Sequence, residues 1–299
     1  MDVRALLMGL TFAFIWSSAF TAARIVVTAV PPLYALSGRF LLAGVCGILL
    51  ALSLGQTARL TRSQWISVIV FGVCQNALYL GLNFVGMQTV EASLAAIVGS
   101  TMPLLVALFG WLILGERPRP LGIAGLVAGM VGVAIIMAGR ISGGVDPWGL
   151  FLLCLGALAL TAATLAVRGT SGGGNLLMVV GLQMLVGTAV LLPIALVTEP
   201  FHLDGSPRVL MAFLYMVFVP GLFATWLWFR LVLRIGAVKA ATFHFLNPFF
   251  GVAVAAVLLG EPVHGADLVG VLIIMAGILA VQLSKQIRTR PVLAESQKA

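Results

Sequence analysis

A chain of 299 residues with 61% hydrophobic and 9% charged side chains excludes a soluble globular domain, where about 25% of residues carry charge. The net charge of +8 marks no nucleic-acid partner, because the cations fall in short connections between apolar runs and form no basic stripe. The three cysteines, Cys46, Cys74 and Cys154, each lie inside an apolar run without C-x-x-C spacing. They offer neither a disulfide framework nor a metal motif and read as small core residues.

A membrane-crossing helix needs about 20 apolar residues. Ten such runs succeed one another, near 5–28, 33–54, 65–87, 91–114, 119–138, 148–167, 175–198, 209–231, 238–259 and 265–284. They are too long for the roughly 10-residue strands of a barrel, so the expected class is an all-α integral membrane protein. The first run exceeds the apolar core of a signal peptide and more spans follow, which makes it the first helix. It carries Trp16 and, one turn on, Phe20. The second carries Arg39, the one cation set well inside a span. Arg39 either pairs structurally with Glu91, at the start of the fourth run, or attracts a substrate carboxylate; polar groups at such depth mark packing or a pathway.

The third run places Asn76, Tyr79 and Asn83 at steps of three and four, on one helix face. That face is either a cavity wall that hydrogen-bonds a substrate or a set of interhelical hydrogen bonds, worth about 0.6 kcal/mol each. The fourth contains Pro103 and ends in Leu114-Gly115-Glu116. Gly122, Gly125, Gly129 and Gly132 line the fifth and invite close helix packing, within the chain or at a dimer face. Thr161 and Thr164 lie in the sixth. The eighth has Pro220-Gly221, Trp226 and Trp228. In the ninth, His244 and Asn247 share a face just before Pro248, and the run ends in Leu259-Gly260-Glu261. Each proline disrupts the bond to the carbonyl four residues back, of Gly99 or His244, and so predicts a kink at which that carbonyl can meet another partner. Glu116 and Glu261 at the helix ends are gate or proton sites, or else bond the neighbouring backbone and fix the loop.

Thirteen cations fall on one side of the alternating spans. Only Arg24, Arg140 and Arg208 fall on the other, so the positive-inside rule puts both termini in the cytoplasm. Pro103 to Glu116 recurs as Pro248 to Glu261, 145 positions on, and the register continues through Gly125 with Gly270 and Gly132 with Gly277. An offset of 144 pairs Arg39 with Gln183. The chain is therefore expected to be two repeats, 1–140 and 141–284, with a polar cytoplasmic tail over 285–299. Five spans per copy is an odd number, so the second copy enters the membrane inverted, the usual scaffold of a secondary transporter.

The motif Pro103-(x)10-Leu114-Gly115-Glu116 followed by Gly125 and Gly132, its second copy from Pro248 to Gly277, Gly38-Arg39-Phe40 and Trp16-Ser17-Ser18 together resemble the signature of EamA-type transporters of the drug/metabolite transporter superfamily. The resemblance covers about residues 5–284. It implies a ten-helix 5+5 fold, a central cavity and export or uptake of small metabolites. Within that superfamily the chain is similar to YddG-like amino-acid exporters. Gln183 stands where the second copy would repeat the arginine, so the role of Arg39 need not be symmetric.

The expected substrate-binding set is Trp16, Asn76, Tyr79, Asn83, Thr161, Thr164, His244 and Asn247, with helix kinks at Pro103 and Pro248. The expected activity is export of small organic metabolites, chiefly amino acids, by alternating access from a bacterial-type inner membrane. No carboxylate sits mid-span, which favours facilitated diffusion over a proton-coupled antiporter; His244 is the remaining group that titrates near neutrality. No G-x-x-x-x-G-K-[ST] loop offers ATP a seat. His202, His244 and His264 show no ligand spacing, which argues against a metal site and against an enzyme acting on lipid-linked substrates. No cofactor is expected, and the partners are a small-molecule substrate and the lipid bilayer.

Overall fold

The computed structural model describes residues 3–115, 119–166, 175–236 and 240–288. Glu116, Arg168, Lys239, the glycine-rich connection 171–174 and the tail beyond 288 lie outside these residues. Among the described residues ten helices are long and apolar enough to cross a membrane. They are α1 (Val3–Val27), α2 (Pro32–Ser53), α3 (Arg62–Gly86), α4 (Ala92–Ile113), α5 (Pro120–Gly139), α6 (Pro147–Leu165), α7 (Leu176–Thr198), α8 (Pro207–Ile235), α9 (Thr242–Leu259) and α10 (Gly265–Ser284). Large apolar side chains on the outer faces, such as Leu49, Ile113, Val197 and Val257, remain exposed, as a lipid solvent requires.

Three interruptions recur in both halves at the 145-residue offset. The middle of α3 is π-helical over Gly72–Leu80, and the middle of α8 over Val217–Phe223. α4 breaks at Thr101, so that Pro103 falls in the first turn of its second segment, Met102–Leu114. α9 begins as a 3-10 turn, Thr242–Leu246, and Pro248 again opens the α-helical part. A proline is tolerated in a first turn because its missing N–H has no intrahelical partner there. The carbonyl of His244, expected to be released by Pro248, is instead taken by the Asn247 N–H, because a 3-10 turn bonds three residues ahead rather than four. Gly115 and Gly260 then end the two helices at φ 66° and φ 69°, where a side chain would be strained.

Equivalent helices pack on each other, α2 with α7, α4 with α9 and α5 with α10. α1 packs on α8 and α9 as α6 packs on α3 and α4. The α5–α10 pair runs in opposite directions. A Cβ on Gly125 would lie 2.7 Å from the Gly277 carbonyl oxygen, and one on Gly132 2.8 Å from that of Gly270. Backbones meet there only because these positions are glycine, so Gly125 and Gly132 serve packing inside the chain. α2 and α7 approach equally closely, with a Cβ on Gly181 placed 3.0 Å from the Gly44 carbonyl oxygen. Their ends are also tied. The Glu199 carboxylate accepts the N–H groups of Leu33 (3.0 Å) and Tyr34 (3.1 Å) at the start of α2. At the other end Gln56 Oε1 accepts the Met178 N–H at 3.1 Å, and Asn175 Oδ1 accepts the Thr57 N–H at 3.0 Å.

Candidate functional site: a central cavity closed at one end

A cavity of about 460 Å³ lies between the two halves. It reaches the end of the bundle at which α3 and α7 begin, with Gln64, Ser67 and Leu176 in its wall. Five of the eight expected binding residues line it: Trp16, Asn76, Tyr79, Thr164 and His244. Asn83 lines a smaller recess of about 60 Å³ behind it, which shares Trp16, Gln75 and Tyr79 with the main cavity.

Thr161 and Asn247 line neither space. The buried Thr161 hydroxyl donates to the Ala157 carbonyl at 2.8 Å, a local bond within α6. Asn247 supports the wall from behind, its Nδ2 3.0 Å from His244 Nδ1. With the amide so placed, Nδ1 accepts and the neutral ring carries its proton on Nε2. The ring packs among Phe12, Trp16 and Trp228, with centroid separations of 5.4, 6.4 and 5.2 Å. Trp226 points away, half-exposed, with the Arg230 guanidinium 5.1 Å over its ring.

Sequence reasoning missed three amides in the wall, Gln64, Gln75 and Gln183. Gln64 precedes the third apolar run, Gln75 stands one residue off the face read through Asn76, Tyr79 and Asn83, and Gln183 was read only as the counterpart of Arg39. The π-helical stretch also brings Gln75 and Asn76, neighbours in sequence, to the same cavity. The Asn76 amide in addition donates to the Gln183 carbonyl at 2.9 Å, joining α3 to α7.

The expected pairing of Arg39 with Glu91 is not formed. Glu91 stands at the head of α4, and its charge, with that of Glu261, acts on Arg24 instead. Arg39 lies seven residues into α2, about 10 Å along the helix at 1.5 Å per residue, and lines the small recess.

The end of the bundle opposite the cavity mouth is held shut around the connection between α3 and α4. Arg24 donates to the Met87 carbonyl. The Thr89 hydroxyl donates to Asp146 Oδ2 at 2.6 Å. Together with the Gly149 N–H, that hydroxyl holds the Asp146 carboxyl below the usual aspartate range. Glu261 takes the N–H groups of Ala92 (2.7 Å) and Ser93 (2.9 Å). A carboxylate at a helix start satisfies amides that have no intrahelical partner and meets the positive end of the dipole. Of the two readings of Glu261, the structure therefore has the backbone-bonding one.

Both halves of the chain match the model of the EamA-like transporter family, over residues 3–138 and 147–283. Among curated relatives, an uncharacterized transporter, YvbV, of Bacillus subtilis is 28% identical over 272 residues, which cover 90% of this chain and 88% of that protein. The aromatic amino acid exporter YddG of Ancylobacter novellus is 30% identical over 139 residues, 46% of this chain and 48% of that protein. An S-adenosylmethionine/S-adenosylhomocysteine transporter of Chlamydia trachomatis is 31% identical over 152 residues, 51% of this chain and 46% of that protein. Relatives of this kind are named as transporters rather than enzymes. With ten spans and a family match over nearly its whole length, the chain is a multi-pass membrane transporter that belongs to the EamA-like transporter family.

Proposed function

We propose that the protein exports amino acids with apolar or aromatic side chains, by alternating access and facilitated diffusion. The observation that carries this reading is a cavity between antiparallel helix pairs that reaches one end of the bundle and is closed at the other by Arg24, Asp146 and Glu261. Its wall combines aromatic rings with neutral amides and hydroxyls, the mixture that suits a substrate with an apolar body and a few polar groups. The partial matches to an aromatic amino acid exporter and to a transporter of S-adenosylmethionine, itself an amino acid bearing an aromatic base, favour this class.

In this reading 1–140 and 141–284 are two inverted repeats. The surplus of cations places both termini and the cavity mouth in the cytoplasm of a bacterial-type inner membrane, so this conformation faces inward. Substrate enters between α3, α7 and α9 and rests against Trp16, Tyr79, Trp228 and His244. The outer end then releases Ala92 and Ser93 from Glu261. Among the described residues no carboxylate touches His244 or lines the cavity, which favours passive flux over proton exchange.

Vesicles containing the protein test this directly. Labelled L-phenylalanine is expected to equilibrate at the same initial rate with and without a pH gradient. A rate that follows the gradient would replace facilitated diffusion with proton antiport. If none of the twenty amino acids moves, the substrate class is wrong.

A further inference from the structure

The recess behind Tyr79 is lined by a cation that no described residue neutralises. Arg39 is 8% exposed and lines that recess. Its one recorded interaction is with the ring of the adjacent Phe40, 5.6 Å away. Among the described residues no carboxylate, carbonyl or hydroxyl accepts from its guanidinium. A guanidinium has five N–H donors, no acceptor and a permanent charge, and its burial without an anion is strongly unfavourable.

A second orphan lies in the same wall. Asn83 is 1% exposed and gives its amide N–H to the Tyr79 carbonyl at 2.8 Å, which leaves its Oδ1 without a partner among the described residues. Arg39 and Asn83 thus line one recess of about 60 Å³. A water molecule's share of the liquid is about 30 Å³, so this space suits a head group of a few atoms and nothing larger. Through Trp16, Gln75 and Tyr79 it joins a cavity more than seven times larger, at about 460 Å³.

We propose that Arg39 is the carboxylate anchor of the substrate site, with the apolar body of the substrate lying in the larger cavity. The proposal deepens the transport reading above and rests on it. It also assigns a direction to the substrate, which enters head first with its charged group at the closed end. The repeat supports this asymmetry. Gln183, the counterpart of Arg39, lines the mouth side of the cavity and is neutral, so the carboxylate has one strong station along the path. When the outer end opens, the Arg39 recess is the first part to hydrate, and the guanidinium then loses its advantage over water.

Quenching of the tryptophan fluorescence, with Trp16 in the shared wall, reads binding without any flux. The probes are 3-phenylpropionate and 3-phenylpropionamide, which differ in charge but hardly in shape. The wild-type protein is expected to bind the carboxylate about tenfold or more tighter than the amide, the range for a hydrogen bond to a charged group. In R39Q the preference should fall to about one, with amide affinity unchanged; R39K should restore part of it, since lysine keeps the charge but lacks the planar fork. An equal preference in R39Q, or none in the wild type, would overturn the anchor. The wild-type comparison decides even if R39Q fails to fold. Competition by chloride as strong as by the carboxylate would assign the recess to an inorganic ion and equally overturn the proposal. A wild type that prefers the carboxylate but moves no amino acid would remove the transport reading and leave the anchor standing. Flux of L-phenylalanine with preference intact in R39Q would do the reverse.

Discussion

Tyr79 is the side chain on which the site turns. It is 4% exposed, lies in the π-helical stretch of α3 and belongs to both the main cavity and the Arg39 recess. Its ring presses toward α4, where a Cβ on Gly99 would meet the Tyr79 hydroxyl at 2.9 Å. Tyr79→Ala merges the two spaces and removes a ring that buries about 150–250 Å². Flux of L-phenylalanine per folded molecule is expected to fall at least about tenfold, the consequence of losing about 1.4 kcal/mol of positioning. Unchanged flux would put the substrate elsewhere. Asp146 illustrates the opposite case. Hydrogen bonds from Thr89 and Gly149 depress its pKa, so its contribution to the closed end is present at neutral pH. That contribution is lost only as pH falls through a value below the ordinary aspartate pKa of about 3.9.

At the scale of elements, the legible part of this fold was what the bilayer dictates. Ten apolar runs of helical length had to become spans, and Pro103 and Pro248 marked interruptions, although as kinks in continuous spans rather than as the openings of new segments that the structure shows. The π-helical segments were not legible, because nothing in Gly72–Leu80 distinguishes a bond to the fifth residue from one to the fourth. The steps from Asn76 to Tyr79 to Asn83 were read as one α-helical face, yet Asn83 lies in the recess and not in the main cavity. The pairing of Arg39 with Glu91 failed for a related reason. Both belong to the same end of the bundle, but depth along α2 separates them, and only the packed helices show that the arginine turns inward. Glycine positions fared better, since the repeat at 125, 132, 270 and 277 foretold a close contact. Gly132→Val tests it. The added side chain would strike the Gly270 carbonyl, and overpacking of this kind costs about 1–3 kcal/mol. The thermal midpoint in detergent should drop, whereas Gly205→Ala, with nothing within 4 Å, should leave it unchanged. Equal midpoints would deny the α5–α10 contact.

For the whole molecule, the proposed alternation of access asks which parts stay together and which move. Of the helices that line the cavity, α3, α4, α8 and α9 carry the π-helical stretches and the proline breaks, the places where a helix bends at least cost. α5 and α10 meet backbone to backbone and line no part of the cavity. The ties of Glu261, Asp146 and Arg24 all converge on the connection between α3 and α4, so opening the end opposite the cavity mouth means moving that corner.

The clasp of α2 and α7 has a different meaning. Gln56 and Asn175 fasten the two helices at one face and Glu199 at the other, with Gly44 and Gly181 touching between. A pair pinned at top, waist and bottom cannot part, and in the proposed alternation of access it would serve as an axle for the remainder. Welding it should therefore do no harm. A short cross-link between Thr57→Cys and Asn175→Cys, at the end of the pair where no glycine contact is disturbed, is expected to leave L-phenylalanine flux at its wild-type rate, and arrest of flux on cross-linking would show that the axle itself has to slide.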